Sequence, residues 1–402
     1  MDAVDVVVVG GGQAGLATSR QLSEAGVDHV VLERHRIGQA WRDRWDSFTL
    51  VLPNWTLDLP GFAYAGPDPD KFMPRDDIVA HLEAFAASFD APVREGVEVV
   101  GLEQSEPGWT VRTTTGGLAA RAVVVASGAF QKAHLPPGWD ELVDGLVRLD
   151  VSGYRNPQVL PDGKVLVVGS GQSGCQIAAD LAGAGREVFL ACGRAPWLPR
   201  RAGNRDTFWW LWHSGFMETP VTALEDPVER LGANPQLSGR DGGRDLNFRT
   251  LHSAGVTLLG HLTGFDGDAA IFADDLTAIL AFGDEAFGRL RGLILQTAEK
   301  LGTPVADLPE PEPFRLVAPE RLDMTGFGAV ISASGFRPNY QQWLDVPGAL
   351  DPMGFPVQDM TGQGPIPGLH FVGAHFLRKR KSALFCGVGE DAAVVVERIA
   401  ER

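Results

Sequence analysis

The sequence predicts an α/β protein built from two Rossmann-like units, the first discontinuous and the second inserted within it. Three observations predict this. A β-branched run at residues 6–9 meets a glycine-rich turn at 10–15 and then a stretch that reads as a helix. The same order returns at residues 164–168, 169–174 and 175–182. Two further apolar runs, 122–126 and 328–333, each end on a Ser-Gly pair. Strand, glycine turn, helix and strand in succession make a βαβ unit, the building block of a parallel sheet. The two units start too far apart for a solenoid, so the pattern reads as duplicated nucleotide-binding architecture.

Taken in order, residues 6–9 form the first strand, 16–25 its helix and 28–33 the second strand, which ends at Glu33. Residues 164–168, 175–182 and 187–191 repeat that arrangement. Residues 122–126 and 328–333 are buried strands that return the chain toward a dinucleotide. Residues 369–372 form a last strand before Gly373. Residues 382–402 hold a glycine turn and an amphipathic helix from about Glu390. The expected division is 1–157 for the first part of one nucleotide-binding domain, 158–322 for a second, inserted one, and 323–402 for the return to the first. The proline- and acid-rich residues 301–313 read as a loop.

Composition narrows the function. Of 402 residues, 44% are hydrophobic and 21% charged, which excludes a disordered or coiled-coil chain. The formal net charge of −16 argues against nucleic-acid and anionic-membrane partners. Anionic cofactors then require local devices such as helix N-termini or a few arginines. Cys175, Cys192 and Cys386 form no C-x-x-C pair, so no redox dithiol is expected, and a cytoplasmic location fits. No apolar run reaches the roughly 18 residues of a membrane helix, and no signal peptide is expected. Histidines show no ligand spacing, so no metal is expected. No serine-nucleophile elbow appears.

The turns carry the chemistry. Gly10 permits the tight turn, Gly12 lets backbone approach a diphosphate, and Gly15 allows close helix–strand packing. Gln13 and Ala14 open the helix, whose free N–H groups face the phosphates. Glu33 suits the two hydroxyls of an adenosine ribose, with Arg34 beside it. In the second turn, Gly169, Ser170, Gly171, Gln172, Ser173 and Gly174 fill the same positions. Its following strand has no acid at the ribose position. Arg194, Arg200 and Arg201 follow instead, and arginine suits a 2′-phosphate, so NADPH is expected over NADH. A solvated arginine patch is the other reading. Ser127, Gly128, Ser334, Gly335, Gly373, Ser382 and Gly389 lie at strand or helix ends that face the proposed cofactors.

At this point the chain resembles the class B flavoprotein monooxygenases, with two dinucleotide-binding domains. Within them it is similar to the flavin-containing monooxygenases, including plant YUCCA-type enzymes and bacterial relatives. The likeness rests on residues 10–15, Trp41-Arg42-Asp43-Arg44-Trp45, Leu52-Pro53-Asn54 and Met73-Pro74-Arg75. Tyr154-Arg155-Asn156-Pro157, residues 169–174 and Ser334-Gly335-Phe336-Arg337-Pro338 complete it. The resemblance implies FAD and NADPH as cofactors. It implies that Trp41 and Arg42 lie along FAD, and that Asn54 is the catalytic residue, placed by the flavin ring and nicotinamide. A turn asparagine is the plainer reading of Asn54. The implied reaction is reduction of FAD by NADPH, formation of a C4a-peroxyflavin with O2, and oxygenation of a small substrate at nitrogen, sulfur or activated carbon. A flavin-dependent oxidase, dehydrogenase or reductase without oxygen insertion is the alternative.

Residues 387–391 are expected at a helix start facing the flavin. The sequence departs from the family where a signature histidine is expected: Asp150 stands there, and Val143 replaces a phenylalanine. Tight coupling of reduction to oxygenation is thereby in doubt. The aromatic run Phe208-Trp209-Trp210-Leu211-Trp212 is expected to line a substrate pocket through Trp209 and Trp210, with Phe385. It suits an interdomain packing surface as well. The basic run at residues 378–381 suits a cofactor phosphate or a solvated loop. A homodimer is compatible with the sequence.

Overall fold

The structure, a computed structural model, describes residues 2–106, 108–142, 145–305 and 308–401. Val143 lies outside the described residues. Two parallel sheets organise the chain. In the first, strands run in the order Val93–Glu95, His29–Glu33, Asp2–Val9, Gly116–Val125, Gly108–Thr113, Val99–Ser105. The first four are mutually parallel, and the last two join antiparallel. Gly116–Val125 changes neighbours along one edge. Its start pairs with Gly108–Thr113, and its end, from Val123, pairs in parallel with Leu369–Phe371. Val6, Val7, Val8 and Val9 are buried on both faces, one against the cluster that holds Leu16 and Val388 and the other against the cluster that holds Trp109, Tyr340 and Phe371.

The second sheet has five parallel strands in the order Val147–Asp150, Phe327–Ser332, Lys164–Val168, Val188–Ala191, Thr257–Leu259. Two of these were expected in the first unit. Val147–Asp150 falls before residue 158 and Phe327–Ser332 after residue 322, yet both pair within the second sheet. An apolar run signals a buried strand but carries no mark of which sheet buries it. The inserted unit therefore extends outward at both ends. A side sheet of Leu262–Asp266, Ala269–Phe272 and Arg321–Asp323 leans on it.

The chain leaves the first unit through Lys132–Ala133 and returns through Phe336–Arg337, and the two passages pair antiparallel. Gln131 fastens this ribbon. Its amide donates to the Gly128 carbonyl at 2.6 Å, and its oxygen accepts the Asn339 N–H at 2.6 Å. The units also share one hydrophobic cluster, running from Val6 and Leu16 through Trp45 and Phe48 to Val165 and Ile177. Inside that seam, Asp180 of helix Gln172–Gly183 accepts Ser47 at 2.8 Å, Tyr154 at 2.7 Å and Arg240 at 2.6 Å. Three chain segments thus meet on one buried carboxylate.

Candidate functional site

Both glycine turns have the same build. Gly10 has φ +112°, and a Cβ there would stand 2.8 Å from the Ala126 carbonyl oxygen. Gly169 has φ +102°, and a Cβ would stand 2.5 Å from the Ala333 carbonyl oxygen. A Cβ on Gly15 would lie 1.8 Å from the Gly10 oxygen, and one on Gly174 would lie 1.9 Å from the Gly169 oxygen. The middle glycines differ from these. Around Gly12 and Gly171 no atom lies within 4 Å of the Cβ position. Each turn therefore keeps backbone exposed at one point, ahead of a helix that starts at Gln13 or Gln172. That is a cradle for a diphosphate: bare amides, no side chain in the way and a favourable helix dipole.

The surroundings of the first turn fit a nucleotide. Glu33 ends its strand and accepts the N–H of Gly11 at 2.7 Å and of His35 at 2.8 Å. Arg34 faces outward toward Glu98. Gln13 accepts the Trp41 indole N–H at 3.1 Å and donates to the Ala383 carbonyl at 3.2 Å, tying three segments to the turn. Ala14 is buried, and Gly373 is needed beside it because a Cβ there would lie 2.3 Å from that of Ala14. Ser127 accepts from Gln131, and Gly128 has φ +69°. Arg42 is turned away: it pairs with Glu83 and donates to the Ile37 carbonyl at 3.2 Å.

Around the second turn, Ser170 exchanges hydrogen bonds with the backbone of Gly193, at 2.8 and 3.0 Å. Gln172 pairs with the Leu237 backbone in both directions. Ser173 is half-buried in the first helical turn. The three arginines separate. Arg194 and Arg201 are exposed. Arg200 is 1% exposed; it grips both oxygens of Asp206 and donates to the Val51 carbonyl at 2.9 Å. It is thus withdrawn from the expected phosphate cluster. The cause is the hairpin Arg201–Ala202 with Arg205–Asp206, which folds Asp206 back onto it. Ser334 donates to the Val168 carbonyl, and the Gly335 carbonyl accepts the His134 N–H, so this pair belongs to the connecting ribbon.

Asn54 is 5% exposed, and its amide nitrogen donates to the Asp68 carbonyl at 3.0 Å. Its Oδ1 is buried with no partner among the described residues. A turn role alone leaves that oxygen unexplained, since buried acceptors are normally satisfied. Next to it, Trp55 meets Phe208 at 5.7 Å and Trp212 at 5.8 Å between ring centres.

The aromatic helix Thr207–His213 therefore presents Phe208 and Trp212 to Trp55, not Trp209 and Trp210. Trp210 is core, its N–H on the Ala202 carbonyl at 3.0 Å. Trp209 stacks on His213 and carries the Arg205 guanidinium at 4.3 Å. Phe385 is buried under Trp41, with ring centres 5.5 Å apart, so it supports the tryptophan. The i, i+4 spacing of Phe208 and Trp212 was the available signal.

The basic run is neither a phosphate clamp nor a free loop. Lys379 and Lys381 each bridge Glu218 and Glu390. Burial pulls both ammonium pKa values down, but the carboxylate partners outweigh it and hold them above the usual lysine range. Val221 N–H meets the Arg378 carbonyl at 2.7 Å, and Arg380 N–H meets the Thr219 carbonyl at 2.9 Å. The run thus fastens the inserted unit to the terminal helix. Ser382 closes this turn by accepting the Arg378 and Lys379 N–H groups, so its hydroxyl is engaged locally. The terminal helix spans Phe385–Ala400 and starts about one turn before Glu390. Gly389 consequently sits inside it, as a packing glycine against Pro60.

Asp150 accepts the N–H and hydroxyl of Ser152 at 2.7 and 2.5 Å, so it closes a turn where the family signature has histidine. Cys175 and Cys192 are buried, and burial pushes both thiols up. Among the described residues no cluster of three or more metal-ligating side chains occurs. No described helix is long and apolar enough to cross a membrane.

Comparison with known proteins agrees with this geometry. A family model described as pyridine nucleotide-disulphide oxidoreductase matches residues 7–207. The chain is 30% identical over 398 residues to an uncharacterized CzcO-like oxidoreductase of Geobacillus kaustophilus, covering 98% of each. It is 34% identical over 210 residues to indole-3-pyruvate monooxygenase YUCCA1 of Oryza sativa, covering 50% of this chain and 51% of that one. A flavin-containing monooxygenase from Stenotrophomonas maltophilia superposes with TM-score 0.69 at 21% identity, covering 100% of this chain and 99% of that one. The chain belongs to the pyridine nucleotide-disulphide oxidoreductase family, as an oxidoreductase with the two-unit architecture of the class B flavoprotein monooxygenases.

Proposed function

We propose that the chain is an NADPH-dependent FAD monooxygenase of the cytoplasm, placing one oxygen atom of O2 on a small organic substrate at nitrogen, sulfur or activated carbon. The observation that carries this reading is the pair of matching turns, each with an open middle glycine, in two sheets joined by one ribbon. Two dinucleotides in one chain, without a C-x-x-C pair, favour electron flow from nicotinamide through flavin to oxygen. When bound, FAD supplies the redox chemistry, accepting hydride and activating O2.

The chain's residues supply position and shelter. The turn amides around Gly12 and Gly171 would hold the two diphosphates. Glu33 would take the ribose hydroxyls of FAD. Arg194 and Arg201, being exposed, would meet a 2′-phosphate. Asn54 offers a buried amide oxygen that accepts a hydrogen bond without titrating. Trp55, Phe208 and Trp212 form an apolar wall that keeps water from that side.

One observation favours a second reading. Asp150, locked to Ser152, offers no ring nitrogen for domain coupling. A poorly coupled enzyme would act as an NADPH oxidase or dehydrogenase. The test supplies labelled O2 with NADPH and a panel of amines, thioethers, ketones and aromatic acids. Label in a product, tied to NADPH use, is expected. Stoichiometric hydrogen peroxide with every substrate, and no labelled product, would select the oxidase.

A further inference from the structure

Most arginines near the seam are engaged. Arg42 holds Glu83, Arg75 holds Asp46, Arg200 holds Asp206, and Arg240 holds Asp180. Arg44, like Arg380, has ring contacts but no ion pair among the described residues. Its Nε is buried with no partner, and its guanidinium lies 5.9 Å from the centre of the Phe48 ring. The side chain as a whole is only partly covered. The one acid acting on it is its neighbour Asp43, which already takes the Gln39 amide at 3.0 Å. Burial pulls the guanidinium below its usual range.

The position of Arg44 is informative. Residue 41 hangs on the first nucleotide turn, through the Trp41 indole and Gln13. Residue 47 hangs on the helix of the second turn, through Ser47 and Asp180. Arg44 lies midway along that bridge. A half-desolvated cation without an anion is unfavourable. The chain carries 51 acidic residues against 35 basic ones, yet apart from the neighbouring Asp43 no carboxylate among the described residues acts on this guanidinium. An oxyanion reaching this guanidinium would meet a planar fork suited to bidentate contact with phosphate.

We propose that Arg44 binds the diphosphate of a dinucleotide held between the two units, that of FAD or that of the nicotinamide nucleotide. This rests on the proposed function, which places both nucleotides in the chain. Arg44→Met and Arg44→Lys would be made in the full, flavin-loaded protein. One arm measures the flavin-to-protein ratio after repeated gel filtration. The other titrates NADP+ against tryptophan fluorescence.

In Arg44→Met one of the two is expected to fall at least about tenfold, which identifies the source of the anion. Arg44→Lys should recover part of the loss, since it keeps the charge without the fork. The melting temperature of flavin-stripped Arg44→Met should equal or exceed that of the stripped parent, because an unpaired charge is removed. Flavin retention and NADP+ affinity both within twofold of the parent would overturn the proposal. A lowered melting temperature with unchanged affinities would overturn it too, by making Arg44 structural. A parent that binds neither nucleotide would instead sink the proposed function beneath it.

Discussion

At the first glycine turn the neighbouring strand ends on a carboxylate, Glu33, held by backbone N–H groups. At the second it ends at Ala191, with Gly193 and the exposed Arg194 just beyond it. The backbones of the two turns are otherwise near copies, down to the open space at Gly12 and Gly171. Under the proposed function, the difference teaches where selectivity would reside: the turn backbone would hold either diphosphate, and the residue at or just after the strand end would decide which nucleotide follows.

The strongest way to break this comparison is to fill one turn at a time. Gly174→Val drives a side chain into the Gly169 carbonyl and should cut reduction by NADPH about 100-fold, equivalent to about 2.7 kcal/mol, with flavin retained. Gly15→Val should abolish flavin retention instead, read from flavin absorbance. If either variant lost both nucleotides in a folded protein, the turns would not be separable sites.

The seam comes next. Asp180→Ala strands Ser47, Tyr154 and Arg240 together and should cost about 3–5 kcal/mol in urea unfolding, whereas Asp180→Asn should cost less.

A pH test reads a histidine of the first unit. Burial, with Arg380 and Arg230 adding to it, lowers His375 to about 4. Its folded value lies below the unfolded 6.5, so the unfolded chain binds more protons between the two. Stability is therefore complete above pH 6.5 and falls as pH drops toward 4, by up to about 3 kcal/mol. His375→Phe should flatten that limb of an unfolding-against-pH curve.

The smallest effects sharpen selectivity. Glu33→Gln should loosen FAD about tenfold, and Arg194→Ala should lower the preference for NADPH over NADH by a similar factor. Specificity constants for the two nicotinamides check the latter, and an unchanged ratio would return Arg194 to the solvent.

Much of the turn geometry was legible because it is local. Gly12 and Gly15 need nothing beyond their own turn and helix to explain them, whereas Gly10 also answers to the Ala126 carbonyl of the neighbouring strand. Features that depend on a distant partner were not legible. The apolar run 328–333 announced a strand but not its sheet, since only pairing with Lys164–Val168 decides that. Arg200 looked available until a hairpin carried Asp206 onto it. Which residues of the aromatic helix meet Trp55, about 150 residues earlier in the chain, could not be read locally: Phe208 and Trp212 do, while Trp209 and Trp210 face elsewhere. Asn54 was singled out by resemblance, and no local pattern announces that its Oδ1 is buried without a partner among the described residues.

The ribbon between the units also governs the order in which the protein can be built. All five strands of the second sheet lie between its two passages. A ribosome therefore finishes that sheet before it has made residues 369–371, which complete the first. The N-terminal strands emerge earliest yet wait longest, their edge at Val123–Val125 open until the chain is nearly done. During synthesis, the half that begins the protein is the half most exposed to wrong partners.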